Sequence, residues 1–265
     1  MQHRPRKRFS QNFLVDRHYI ECVVDAIGPR RDETVVEIGP GRGALTRPLL
    51  ERLDHLTVIE IDRDLAEALR SEIPPSHLTV ITADALTVDL AALAAGPGLR
   101  VVGNLPYHIS SPLLFHCAQF VPPILDLHFM LQAEVVDRMA AAPGTPEYGR
   151  LSVSLQSAFA VECLLRVPAG AFYPVPAVES AVVRLTPLGA ARPPIRDQRI
   201  FEAIVAAGFG QRRKTLRNAM QKYIGPEALL QIGVDPGVRA ETLPVAAFAA
   251  IANAVAITQE TSGGS

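Results

Sequence analysis

Four short runs rich in β-branched residues, ETVVEIG, LTVIEI, LTVITAD and LRVVGNL, follow one another between Glu33 and Leu105. Each ends in a turn signal, and most are followed by a segment with helical spacing such as DLAEALRSE. That alternation predicts a parallel sheet with crossover helices. LDLHFMLQ, VECLLRVP and SAVVRLTP continue the series, the last two so close together that an antiparallel pairing at one sheet edge is expected. TPLGAARPPIRDQ then reads as a linker, because its prolines and glycine break any regular element. Everything after it has helical character. The expected organisation is an α/β domain over residues 1–187, opening with a basic segment, and a small helical domain over residues 192–265 with a flexible tail. In such sheets ligands bind beyond the carboxyl ends of the strands, where strand order reverses.

The chain's 265 residues can bury a large core and a small one, and 48% hydrophobic against 20% charged residues is a globular balance. Cys22, Cys117 and Cys163 are too far apart for a paired zinc site and odd in number for a disulfide framework, so no metal and a reducing cytoplasm are expected. VAAFAAIANAVAI is too short and alanine-rich to span a bilayer, and the N-terminus opens with charge, so no membrane partner is expected. The net charge of -1 hides an asymmetry. Arg4, Arg6, Lys7 and Arg8 all precede the first acid, Asp16, and eight Lys or Arg between Arg192 and Lys222 face only Asp197 and Glu202. Two local basic zones in a neutral chain point to polyanion contact at chosen surfaces.

EIGPGRG places Gly39, Gly41 and Gly43 directly after the first of the four strands, with Glu37 ahead of them. The spacing is G-x-G-x-G, not the G-x-G-x-x-G of dinucleotide sites, which disfavours a nicotinamide-dependent dehydrogenase. Glu60 ends the second strand at the position where a carboxylate accepts ribose hydroxyls, and Asp84 ends the third, placed to accept from an adenine amino group. Three consecutive strand ends each offering a suitable group point to a nucleoside. The fourth strand runs into GNLPY, an elbow of Asn104, Leu105, Pro106 and Tyr107, after which Ser111 and Pro112 predict a helix N-cap and first position.

E-x-G-x-G with strand-end acids resembles the class I methyltransferases that use S-adenosylmethionine. Together with QNFL, GNLPY, YGRLSV, FYPVPAVESAVVRL and FGQRRKTLRN, the chain closely resembles the ribosomal RNA adenine dimethyltransferases of the small-subunit, KsgA (RsmA) type, from about Lys7 to about Val255. The resemblance implies a Rossmann-like fold, S-adenosyl-L-methionine as cofactor, and dimethylation of two adjacent adenines near the 3′ end of 16S rRNA in an immature small ribosomal subunit. It further implies a cytoplasmic, monomeric enzyme. Its cofactor contacts fall on Asn12, Leu14, Gly39, Gly41, Glu60, Asp84 and Asn104, with the QNFL segment closing over the cofactor.

Adenine's exocyclic nitrogen is a poor nucleophile because its lone pair is delocalised into the ring. If the Asn104 side-chain oxygen and the Pro106 carbonyl accept its hydrogens, that lone pair is drawn out and can face a sulfonium methyl, and positioning then supplies much of the rate. The resemblance puts Tyr107 and Phe172 on opposite faces of a flipped base. Acceptors at this place select adenine over guanine, whose carbonyl would meet acceptor with acceptor. Arg212, Arg213, Lys214 and Arg217 in FGQRRKTLRNAM, expected within two helical turns, are candidate phosphate contacts, and Arg6, Lys7 and Arg8 a second set. Ser10, His108, Ala133 and Ala177 depart from the family pattern without removing a proposed cofactor or elbow group. The competing readings are a 23S rRNA adenine methylase of the macrolide-resistance type and a non-catalytic RNA-binding assembly factor.

Overall fold

A computed structural model describes residues 12–262 except 97, 107–108, 121–122 and 211–213. In chain order, β1 (Phe13–Leu14) and α1 (Arg17–Ile27) precede β2 (Thr34–Ile38), α2 (Thr46–Leu50), β3 (Leu56–Glu60), α3 (Arg63–Glu72) and β4 (Leu78–Thr82). β5 (Leu99–Asn104), α4 (Ser110–Ala118), β6 (Ile124–Gln132), α5 (Ala133–Ala140) and α6 (Arg150–Gln156) follow. The chain then forms β7 (Phe159–Val167), β8 (Phe172–Tyr173) and β9 (Ser180–Pro187). It ends in α7 (Gln198–Gly210), α8 (Leu216–Ala219), α9 (Pro226–Gln231) and α10 (Val245–Ser262).

Seven strands pair in the order β4-β3-β2-β5-β6-β9-β7. Pairing is parallel from β4 through β6. Val36, Val58, Val101 and Val102 are fully buried, as a parallel sheet covered on both faces requires. Chain order reverses between β2 and β5, which marks the switch point at their carboxyl ends. The antiparallel strand is β9, and it sits one place in from the edge, between β6 and β7. The sheet is thus mostly parallel with antiparallel pairing towards one edge, where the last two strand runs lie side by side, as expected. Ser180–Val183 of β9 are all buried, whereas β7 is buried only at Phe159 and Val167 and is part-exposed or exposed between them, which suits an edge. A separate ribbon, β1 paired antiparallel with β8, was not legible in sequence because two residues carry no period.

Local chemistry sets the helix ends around this sheet. Asp16 caps α1 by accepting the His18 N–H at 2.9 Å, and Gly28 ends the helix in the left-handed region. Asp62 caps α3 by accepting from the Asp64 N–H at 3.0 Å. The start of α4 differs from expectation, since Ser110 opens the helix and Ser111 and Pro112 lie inside its first turn. Pro112 is tolerated there because N–H groups of the first turn have no intrahelical acceptor.

By contact density the chain divides into two units, one running to Val136 with Ala160–Pro187, the other combining Asp137–Phe159 with Leu188–Ser265. The second unit is discontinuous in sequence and takes in α6, which lies inside the first domain as drawn from sequence. Tyr148 shows why, since its hydroxyl donates to the Leu243 carbonyl at 2.8 Å and its ring meets Phe209 edge-on. Among the described residues, no helix is long and apolar enough to cross a membrane.

Candidate active site

Within the first unit, the carboxyl ends of β2, β3 and β5 and the turn after β4 wall a cavity of about 330 Å³. Asn12, Leu14, Gly39, Gly41, Glu60, Asp84, Asn104, Pro106 and Phe172 all line it. Close backbone approach makes it possible. Gly103 sits where a side chain would collide with the Ile38 carbonyl, and Gly41, at φ 56°, would set a Cβ 3.1 Å from the Phe13 ring.

Glu60 is buried, and its two oxygens accept from the Gly41 N–H at 3.1 Å and the Asp62 N–H at 2.9 Å. Burial raises its pKa, against the pull of those hydrogen bonds. Asp84 is exposed, with Oδ1 accepting the Leu86 N–H at 3.0 Å. Asn104 ends β5 half-buried, and its Nδ2 donates to the Asn12 carbonyl at 3.3 Å. The amide oxygen is thereby the part left to accept from a ligand.

The Pro106 carbonyl stands differently from expectation. It accepts the Ile109 N–H at 3.1 Å and the Ser110 hydroxyl at 3.2 Å, so both lone-pair directions are taken. The preceding Leu105 carbonyl receives no hydrogen bond from any described group, and Leu105 lines the same cavity. Phe172 is buried in the hydrophobic core as well as at the cavity wall.

Glu37 is the group whose importance sequence reading missed. It lines the cavity, is buried, and accepts the Thr46 hydroxyl at 2.6 Å. Burial pushes its carboxyl up to about 7, Thr46 opposes the rise, and the nearby Glu60 adds to it. Its place one residue before the end of β2, just ahead of the glycine turn, was the available signal. Phe13 and Arg42 also line the cavity, the guanidinium lying 4.7 Å from the ring centroid.

Tyr107, Arg6, Lys7, Arg8, Arg212 and Arg213 lie outside the described residues. Lys214 and Arg217 are exposed in the second unit and are not on the cavity. They do not share one helix, because α7 ends at Gly210 and Thr215 bridges to Arg239 before α8 begins. Leu216 and Met220, both fully buried, anchor that short helix and leave Arg217 outward. Among the described residues no cluster of His, Cys, Asp and Glu could hold a metal ion.

Comparison with known proteins adds to this geometry. A family model described as ribosomal RNA adenine dimethylase matches residues 2–256. The chain is 57% identical over 249 residues to a ribosomal RNA small subunit methyltransferase A of Thiobacillus denitrificans, covering 94% of this chain and 97% of the relative. It is 53% identical to the protein of the same name from Bordetella pertussis, over 96% and 95% of the two chains. Among solved structures, a dimethyladenosine transferase from Plasmodium falciparum superposes with a TM-score of 0.77 at 22% identity, covering 95% and 98% of the two chains, and shares the fold. The 23S rRNA methyltransferase ErmE superposes with a TM-score of 0.70 at 28% identity, covering 92% and 100%.

Proposed function

The chain belongs to the ribosomal RNA adenine dimethylase family, and on that premise we propose how its strand ends divide between holding a methyl donor and holding a base. The protein is an S-adenosylmethionine-dependent methyltransferase that dimethylates adenine in 16S rRNA. Relatives named for the small subunit at 57% identity favour that RNA over the 23S RNA named for the structure at 28%.

The cavity suits a cationic cofactor. Glu37, Glu60 and Asp84 all face it, and burial disfavours the charged form of the first two, a penalty that a cation eases. When bound, S-adenosylmethionine supplies an electrophilic methyl group. Glu60 accepts ribose hydroxyls with the lone pairs that Gly41 and Asp62 leave, and Asp84 accepts an adenine amine with the oxygen not engaged by Leu86. Leu14 and Phe13 cover the apolar side.

On the substrate side, Asn104 Oδ1 and the Leu105 carbonyl accept the two hydrogens of the target amine. Leu105 replaces Pro106 in that role because the Pro106 carbonyl is already bonded to Ile109 and Ser110. Holding both hydrogens localises the lone pair on nitrogen and aims it. Phe172 supplies an apolar face for the ring, and Tyr107 a second. Arg6, Lys7, Arg8, Arg212, Arg213, Lys214 and Arg217 contact RNA phosphates. The substrate in this reading is an immature small subunit, met by a single copy of the enzyme.

The observation that carries this reading is the Asn104 amide, whose nitrogen is tied to Asn12 so that its oxygen is presented at the cavity. The test is transfer of labelled methyl to a mixture of small and large ribosomal subunits that lack adenine methylation, followed by mass mapping of both RNAs. Label on 16S adenines is expected. Label confined to the large-subunit RNA, or none, would overturn the reading.

A further inference from the structure

The ribbon of β1 and β8 carries both buried and exposed side chains. Phe13, Leu14 and Phe172 are buried and line the cavity. Tyr173, the partner of Phe13 in the ribbon, is 60% exposed, and Val15 and Val175 are 56% and 65% exposed. Val15 is held beside the ribbon by its N–H, which donates to the Ala171 carbonyl at 2.9 Å. Phe172 is seated in the cavity wall, while Tyr173, the next residue of the strand, is exposed. A large aromatic and two valines left in water beside a binding cavity mark a contact surface.

We propose that Tyr173, flanked by Val15 and Val175, is a stacking platform for the nucleobase next to the target adenine in the rRNA strand. This rests on the reading of the cavity as the place where adenine meets the methyl donor. The occupant is a base because the patch lies on the same ribbon that walls the cavity, where an RNA strand delivering adenine has to pass. Drawing one adenine out of its stack strips its neighbour of a stacking partner, and aromatic side chains take up unstacked RNA bases. Phe172 and Tyr173, adjacent in sequence, one buried and one exposed, then serve the extracted base and the base that stays outside.

The test measures methyl transfer to unmethylated small subunits by the wild type and by Tyr173→Phe, Tyr173→Leu and Tyr173→Ala. A stacking role predicts that Tyr173→Ala raises KM for the subunit about 5- to 150-fold with kcat little changed, the range expected for loss of one base–aromatic stack. Tyr173→Phe should retain wild-type KM, and Tyr173→Leu should fail as alanine does. As a second readout, an RNA carrying 2-aminopurine beside the target adenine should show fluorescence quenching with the wild type and Tyr173→Phe only. Wild-type KM and quenching in Tyr173→Ala overturn the inference and leave the cavity reading intact. Full rescue by leucine also overturns it, since an apolar contact without a ring would then suffice. A wild type that methylates no adenine overturns both.

Discussion

The Asn104 amide nitrogen donates to the Asn12 carbonyl across 3.3 Å, joining positions 92 residues apart in the chain. One hydrogen bond therefore ties the segment before β1 to the end of β5 and sets the orientation of an amide that lines the cavity. Asn104→Ala should lower kcat by about 100-fold or more, the scale of losing one preorganised polar group at a reacting centre. Asn104→Asp keeps an acceptor but loses the donor to Asn12, so it should also weaken cofactor affinity. Single-turnover methyl transfer and cofactor calorimetry separate the two. Equal, small effects of both changes would sink the assignment.

Glu37 makes both stability and cofactor binding depend on pH. Its folded pKa, pushed by burial to about 7, stands above its ordinary 4.5. Its contribution to stability is thus full below the ordinary value and lost as pH rises through the folded value. The loss should approach about 3 kcal/mol, and Glu37→Gln should flatten that part of a urea-unfolding pH series. A cationic cofactor favours the carboxylate, so binding should release a proton and tighten from about pH 5 to 7. Calorimetry in two buffers of different ionisation enthalpy reads the proton directly, and no buffer dependence near pH 6 would count against it.

Arg100 holds β5 and β6 together at their opposite end. Its guanidinium bonds Asp126 at 3.0 Å, Glu33 at 2.7 Å and the Ile27 carbonyl at 2.7 Å. Burial pushes Asp126 up, but His128 and Arg100 hold it below its ordinary value. Burial likewise raises Glu33, while Arg30 and Arg100 pull it lower still. Stability from both carboxylates is present above their ordinary values and is lost as pH falls through the folded ones. Arg100→Leu should cost about 3–5 kcal/mol near neutral pH, because it leaves partly buried carboxylates without their cation. Urea unfolding from neutral to acid pH should show the difference between variant and wild type shrinking.

Lys214 and Arg217 are exposed, so their loss should leave the fold and cofactor affinity alone. Each change to alanine should weaken subunit binding and lower the slope of log affinity against log salt by about 1. Binding titrations at several salt concentrations measure this, and an unchanged slope would remove either residue from the phosphate contacts.

The strand-end acids and the parallel run from β4 to β6 were legible because periodicity and turn residues act locally. Which of β7 and β9 lies outermost was not, since that depends on packing far along the chain. The elbow shows the same limit at one atom. Sequence could place Asn104 and Pro106 at a strand end, yet could not show that the Pro106 carbonyl is occupied, because that depends on where Ile109 and Ser110 donate. Glu37 was passed over for the opposite reason, as its pKa comes from burial, which no motif spells out.

The second unit's split across the sequence also sets an order of events during synthesis. Domains fold as they leave the ribosome, N-terminal parts first. Residues 137–159 emerge well before 188–265, so Tyr148 must wait for Leu243, its hydroxyl's acceptor, until nearly the whole chain has been made. The sheet meets the same delay, because β7 and β9 are translated only after that excursion. A chain halted near residue 187 holds every strand of the sheet but leaves α6 without α7, the helix it packs with. Neither unit can be released from the other by a single cut.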